Sequence, residues 1–221
     1  MNFLMRVYVI VMCGMVSAAA QELNYDTWTK TNETKDGIVI YARLVPNSEI
    51  KELKANCVMD APPMNVWQAV MDKDTYKDSS KYVVIDKVFR TNNENIWYNY
   101  QLVAAPMFAK RDYTLRYESY KNPGKMYYRL VWRTAKEFAP PQEKGVVRLS
   151  VCDGSFIIEP YEGGKKSYIT YWVCTDPGGM VPSWAANLVN RSSLPDFIRT
   201  VHKQSLLFRD KRKNGGAEKK S

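Results

Sequence analysis

Arg111 is the residue of this 221-residue chain whose setting most directly implies chemistry. In the stretch RDYTLRYESY, positions 111, 113, 115 and 117 are Arg, Tyr, Leu and Tyr, and the alternate positions are Asp112, Thr114, Arg116 and Glu118. Side chains along a strand alternate between its two faces, so the first set predicts an inward face that carries Arg111 with it. A guanidinium out of water must be paired or must meet an anion, because isolated burial costs on the order of several kcal/mol. Two partners fit. One is a carboxylate of the protein, which would make Arg111 structural; the other is a phosphate on a ligand, which a guanidinium clamps bidentately. Asp112, on the opposite face, reads as scaffold.

Other reactive groups are few. The single histidine, His202, leaves no room for a Ser-His-Asp triad alongside a histidine-rich metal site. No pair of inward carboxylates stands out for general acid–base work. No cofactor, no metal and no catalytic residue is expected. Cys57, Cys152 and Cys174 lie in apolar, strand-like stretches and read as buried thiols. If Gly163-Gly164 is a hairpin tip, Cys152 stands opposite Thr175, and Cys174 points to the other face, so register argues against a bridge.

Aromatic residues offer a different chemistry. Tyr113, Tyr128, Trp132 and Tyr171 fall on inward positions, and Tyr128 and Trp132 share a face of KMYYRLVWRT with Met126 and Leu130. Such walls bind acyl chains or sterol rings, cage a quaternary ammonium, or simply pack a core. Leu53, Cys57 and Met59, alternating with Lys54 and Asn56, are candidates of the same kind.

The elements that would position these groups follow from periodicity. Residues 1–20 have Arg6, an apolar run at 7–16 and Ala18-Ala19-Ala20, the pattern of a cleavable export leader. The run is too short for a bilayer of about 30 Å. Removing it takes Arg6 and no acid from the formal +9, leaving +8. Residues 21–208 read as one domain of an exported, periplasmic or secreted protein, and 209–221 as a basic disordered tail. Within the domain a short helix is expected at 23–34, strands at 38–44 and 50–60, and a helix capped by Asp60 over PPMNVWQAVMD. Strand-like runs follow at 82–90, 95–104, 111–120, 125–135, 145–161 and 167–174. From Ser183, Trp184, Leu188, Phe197, Ile198, Val201 and Phe208 repeat on one side of a long helix that Pro195 should kink or split. The expected class is α+β: one curved antiparallel sheet wrapped around the C-terminal helix and enclosing a hydrophobic cavity.

Three stretches carry a family resemblance. They are VRLSVCDGSFIIEP with YITYWVCTDPGGMVPSWAANLVNRSSLPDFI, PMFAKRDY at 106–113, and the pair KDGIVIYAR and NVWQAVMD. Taken in chain order they resemble the START lipid-transfer domain over about residues 24–208, and the DPGG and Pro-Ser-Trp region is similar to the phosphatidylcholine-transfer type. The resemblance implies a helix-grip fold, a tunnel holding one sterol, phospholipid or similar amphiphile, and no covalent chemistry. It also implies a lid formed by Trp184, Leu188, Phe197 and Val201, hinged at Gly178, Gly179 and Pro195. The basic end, from Arg209 to Lys220, would draw the protein transiently to an anionic bilayer at about 1 kcal/mol per base. Its bases are scattered among acids, which disfavours nucleic acid. The expectation is a monomeric, non-enzymatic lipid carrier or sensor. The alternative is a cavity enzyme similar to polyketide cyclases and dehydratases.

Overall fold

The computed structural model describes residues 27–76, 82–104, 109–176, 178 and 183–217, with side chains described for all but 183–192 and 212–217. The leader at 1–20 and the hinge position Gly179 lie outside them. Ten strands form one sheet: β1 (Thr29–Glu33), β2 (Val39–Leu44), β3 (Lys51–Met59), β4 (Val83–Arg90), β5 (Ile96–Val103), β6 (Arg111–Asn122), β7 (Tyr127–Thr134), β8 (Val147–Arg148), β9 (Val151–Tyr161) and β10 (Lys166–Asp176). The sheet order is β1-β2-β3-β10-β9-β7-β6-β5-β4. Each pair along that path is antiparallel, while β8 lies parallel to β6. Among the described residues two α-helices, α1 (Pro63–Met71) and α2 (Ser183–Ala217), complete the fold and pack on each other. This is the helix-grip arrangement, a large antiparallel sheet with a C-terminal helix.

Alternation sets the core. On β3, Leu53, Ala55, Cys57 and Met59 are buried while Lys54, Asn56 and Val58 are not. They meet Ile40 and Ala42 of β2, Val66 and Val70 of α1, and Leu194, Ile198 and Val201 of α2 in one cluster. Gly163 and Gly164, both at positive φ, make the β9–β10 turn, and Cys152 does pair with Thr175.

Four local expectations are corrected. Residues 29–33 form β1 rather than a helix, since Thr29 and Thr31 are β-branched and β2 offers an unpaired edge. Asp60 does not cap α1: the cap position is Pro62, whose carbonyl accepts from Asn65 and Val66. Pro195 lies inside one assigned helix and is buried, held by the packing of Leu194, Ile198 and Val201. That helix continues to Ala217, through most of the segment read as a disordered tail.

Polar straps fix α2 to the sheet. Arg199 donates from Nε and Nη2 to both oxygens of Asp36, at 2.8 Å each. The Asp60 N–H donates to His202 Nε2 at 3.1 Å, Arg209 donates to the Asp60 carbonyl at 2.7 Å, and Gln204 donates to Asp72 at 3.0 Å. The Arg199 hydrogen bond holds the Asp36 carboxyl well below the usual carboxylate range. Desolvation pushes His202 down, with Arg209 adding to it and Asp60 and Asp36 opposing. Both groups take up protons more readily in the unfolded chain, so both contribute stability at neutral pH that is lost on acidification. The His202 share declines as pH falls below about 6.5, and the Asp36 share as pH falls below about 4. Thermal melts at pH 7.5, 5.5 and 4 should therefore show Tm falling in two stages. In His202→Gln the first stage should vanish; an unchanged drop between pH 7.5 and 5.5 would remove His202 from this account.

Candidate functional site

Between the sheet and the helices lies a cavity of about 450 Å³, within the range of roughly 300–1,000 Å³ usual for ligand pockets. Its wall is built strand by strand. β5 contributes Gln101 and Val103, β6 Tyr113 and Tyr117, and β7 Leu130 and Trp132. Phe156 comes from β9, Tyr171 from β10 and Phe197 from α2, while Val70, Tyr76 and Val83 close the remaining side. The rings form a continuous run: Trp132 to Tyr171 is 5.9 Å between centroids, Tyr171 to Phe197 4.9 Å, and Phe197 to Tyr76 5.8 Å. Tyr117 continues it from the other side of Trp132, at 6.4 Å.

Gly154 lets Trp132 lie flat on the sheet. The two are cross-strand partners, and a Cβ at 154 would stand 2.1 Å from Trp132 Cζ2. Without a side chain there, the indole rests on β9 and leaves the cavity open above it.

The polar groups of the wall are few and ordered. Tyr113 donates its hydroxyl to Gln101 Oε1 at 2.5 Å, and Gln101 Nε2 donates to Asp86 Oδ1 at 3.2 Å. Tyr76 donates to the Val70 carbonyl at 2.8 Å. Burial raises the pKa of Tyr76, Tyr113, Tyr117 and Tyr171, keeping all four phenols protonated. Among the described residues that line the cavity there is no carboxylate and no histidine.

The residues singled out from the sequence divide into four groups. Tyr113, Trp132, Tyr171 and Phe197 line the cavity. Leu53, Cys57, Tyr128 and Val201 do not; they are buried in the packed part of the core. Tyr128 stacks on Trp67 of α1 at 5.6 Å, which fills the space a ligand would need. Arg111 stands beside the cavity: it is half-buried, pairs across the sheet with the cavity residue Val103, and donates from Nη1 to the Ala109 carbonyl at 2.6 Å. Trp184 and Leu188 belong to α2, but their side chains lie outside the described residues.

The opposite face of β6, on which Asp112 reads as scaffold, is buried at its start. Asp112 and Thr114 are each 1% exposed. Arg148 donates to both Asp112 oxygens, at 3.1 and 2.5 Å, and Tyr100 donates to the same carboxylate at 3.3 Å. β8 pairs beside β6 here and sets Arg148 opposite Asp112, a two-residue pairing of which alternation along β6 carries no record. The three described cysteines are free. Burial raises Cys57 to about 12 and Cys152 and Cys174 to about 11, so they remain thiols at neutral pH.

Gln101, Tyr117, Phe156 and Tyr76 line the cavity without having been singled out. Tyr117 shares the inward set of Tyr113, and Gln101 is a polar residue in the otherwise apolar end of NIWYNYQLVA; both signals were present in the sequence. Tyr76 ends a short 3₁₀ turn in a polar stretch and gave none.

Comparison with known proteins agrees with this geometry. The START domain profile matches residues 11–209, and the chain belongs to the START domain family. Mouse phosphatidylcholine transfer protein is 28% identical over 173 residues, covering 76% of this chain and 78% of its own. Human STARD10 superposes with a TM-score of 0.70 at 19% identity, covering 85% of this chain and 76% of that one. A STAR-related lipid transfer protein from Xanthomonas axonopodis superposes with a TM-score of 0.66 at 21% identity, covering 81% and 99%.

Proposed function

We propose that the protein takes one phospholipid-class lipid into this cavity and carries it between membranes, or senses it, without altering it covalently. The observation that carries the reading is the aromatic-walled cavity of about 450 Å³ in a START-domain chain. The similarity to phosphatidylcholine transfer proteins supports a phospholipid as cargo. Each acyl CH₂ buried is worth about 0.8 kcal/mol, so a chain held against these rings escapes into water slowly. We further propose that residues 1–20 direct export, that the protein acts as a monomer outside the cytoplasm, and that its basic surface makes the transient bilayer contact that exchange requires.

Native mass spectrometry of residues 21–221 after incubation with total lipid extract tests the cargo. A one-to-one adduct released intact as phospholipid supports the reading; an empty protein, or a ligand returned chemically altered, ends it. Arg111, which pairs with the cavity residue Val103, is the residue proposed to meet the phosphate. Arg111→Leu should weaken phospholipid uptake about tenfold, the worth of a charge-assisted hydrogen bond, and spare neutral sterols. Equal loss for both, with a lowered Tm, would make Arg111 structural.

A further inference from the structure

The hydrogen bonds behind Tyr113 have a direction that the cavity wall does not reveal by itself. Asp86, Gln101 and Tyr113 form one cross-strand row on β4, β5 and β6. Asp86 lies at the exposed edge of the sheet, where an ionised carboxylate can only accept. Asn99 Nδ2 and Gln101 Nε2 both donate to its Oδ1, at 2.6 and 3.2 Å. The Gln101 amide is therefore fixed with its nitrogen toward Asp86 and its oxygen toward Tyr113. That oxygen must receive the Tyr113 proton, as the 2.5 Å contact requires. What Tyr113 has left for the cavity is an oxygen lone pair, not a proton.

We propose that the Asp86–Gln101–Tyr113 row selects a lipid whose polar end donates a hydrogen bond, a primary ammonium or a hydroxyl, over one ending in a quaternary ammonium. Tyr113 touches the ligand; Gln101 and Asp86 are positioning residues that set which way its proton points. A buried acceptor left without a donor costs free energy, so a site of this kind rejects the analogue that lacks one. Arg111, the next residue on the same face of β6, lies roughly 7 Å from Tyr113 along the strand. That spacing suits a phosphate and an ammonium of one headgroup. The inference rests on the lipid-carrier reading and specifies its cargo.

The test uses the full chain with four dioleoyl lipids that differ only at nitrogen: phosphatidylethanolamine, its N-methyl and N,N-dimethyl forms, and phosphatidylcholine. Dioleoylglycerol is the hydroxyl arm. In competition followed by native mass spectrometry, lipids that keep an N–H should be taken up about tenfold over phosphatidylcholine, with the loss concentrated at the last methyl. Preference for phosphatidylethanolamine over dioleoylglycerol assigns the ammonium as donor, and the reverse assigns the hydroxyl. Asp86→Asn removes the acceptor-only end, frees the Gln101 amide to turn over, and should collapse the ratio toward one. Tyr113→Phe should do the same. Uptake of phosphatidylcholine equal to or above the N–H lipids, or an Asp86→Asn ratio like that of the wild type, overturns the selection while leaving a lipid carrier in place. No uptake of any of the five lipids overturns both.

Discussion

Gly154→Val will collapse the cavity and lower the melting temperature by roughly 5–10 °C. The Cβ that any other residue adds at this position would sit 2.1 and 2.4 Å from two indole carbons of Trp132 and 2.7 Å from the carbonyl oxygen of Trp172. The carbonyl belongs to the sheet and cannot move, so the indole must lift. Tyr117 and Tyr171 flank it, with centroids at 6.4 and 5.9 Å, and the space the indole borders is the cavity itself. Overpacking of a well-fitted core costs about 1–3 kcal/mol, and in a domain of this size each kcal/mol moves Tm by roughly 2–4 °C. Lipid uptake should fall further than stability does, because the displaced ring occupies the space of the ligand. Trp132→Leu added to Gly154→Val should restore part of the Tm, a coupling opposite in sign to the two single losses. A Gly154→Val protein that melts and loads lipid like the wild type would show that Trp132 has another place to go.

The second large effect lies on the opposite face of β6. Asp112→Ala leaves the Arg148 guanidinium, whose side chain is 17% exposed, facing the site of a lost carboxylate. Breaking a buried pair from one side costs about 3–5 kcal/mol, most of it the stranded charge. Here it also releases Tyr100 and loosens the segment paired beside β6, which Val147 and Leu149 hold by backbone bonds to Lys110 and Asp112. Tm should fall by about 10 °C, and hydrogen exchange should quicken at 146–149 before it does so in β9 and β10. Asp112→Ala with Arg148→Met removes both charges and should recover most of the loss. An Asp112→Ala cost below about 1 kcal/mol, or a double variant no better than the single one, would mean the pair is incidental to the fold.

How much of this was legible in the sequence depended on the range of the interaction. Alternation in IKELKANCVMD and RDYTLRYESY determined which residues face inward, because the pleat repeats every two residues whatever surrounds it. The Gly163-Gly164 turn determined the β9–β10 register, and with it the pairing of Cys152 with Thr175. The motifs around the last strand and helix were enough to identify the START domain. What lies over an inward face is not encoded by the period. Tyr128 and Trp132 are four residues apart on one face of β7 and looked alike as candidates. Only the position of α1, which sets Trp67 on Tyr128, makes the first a core residue and leaves the second at the cavity. The same holds for Asp112, whose Arg148 partner is supplied only by the pairing of β8 beside β6, and for residues 29–33, where the free edge of β2 outweighs local helix signals. Local chain geometry selected the faces; contacts between segments distant in sequence decided which of them would be filled and which would be left open for a lipid.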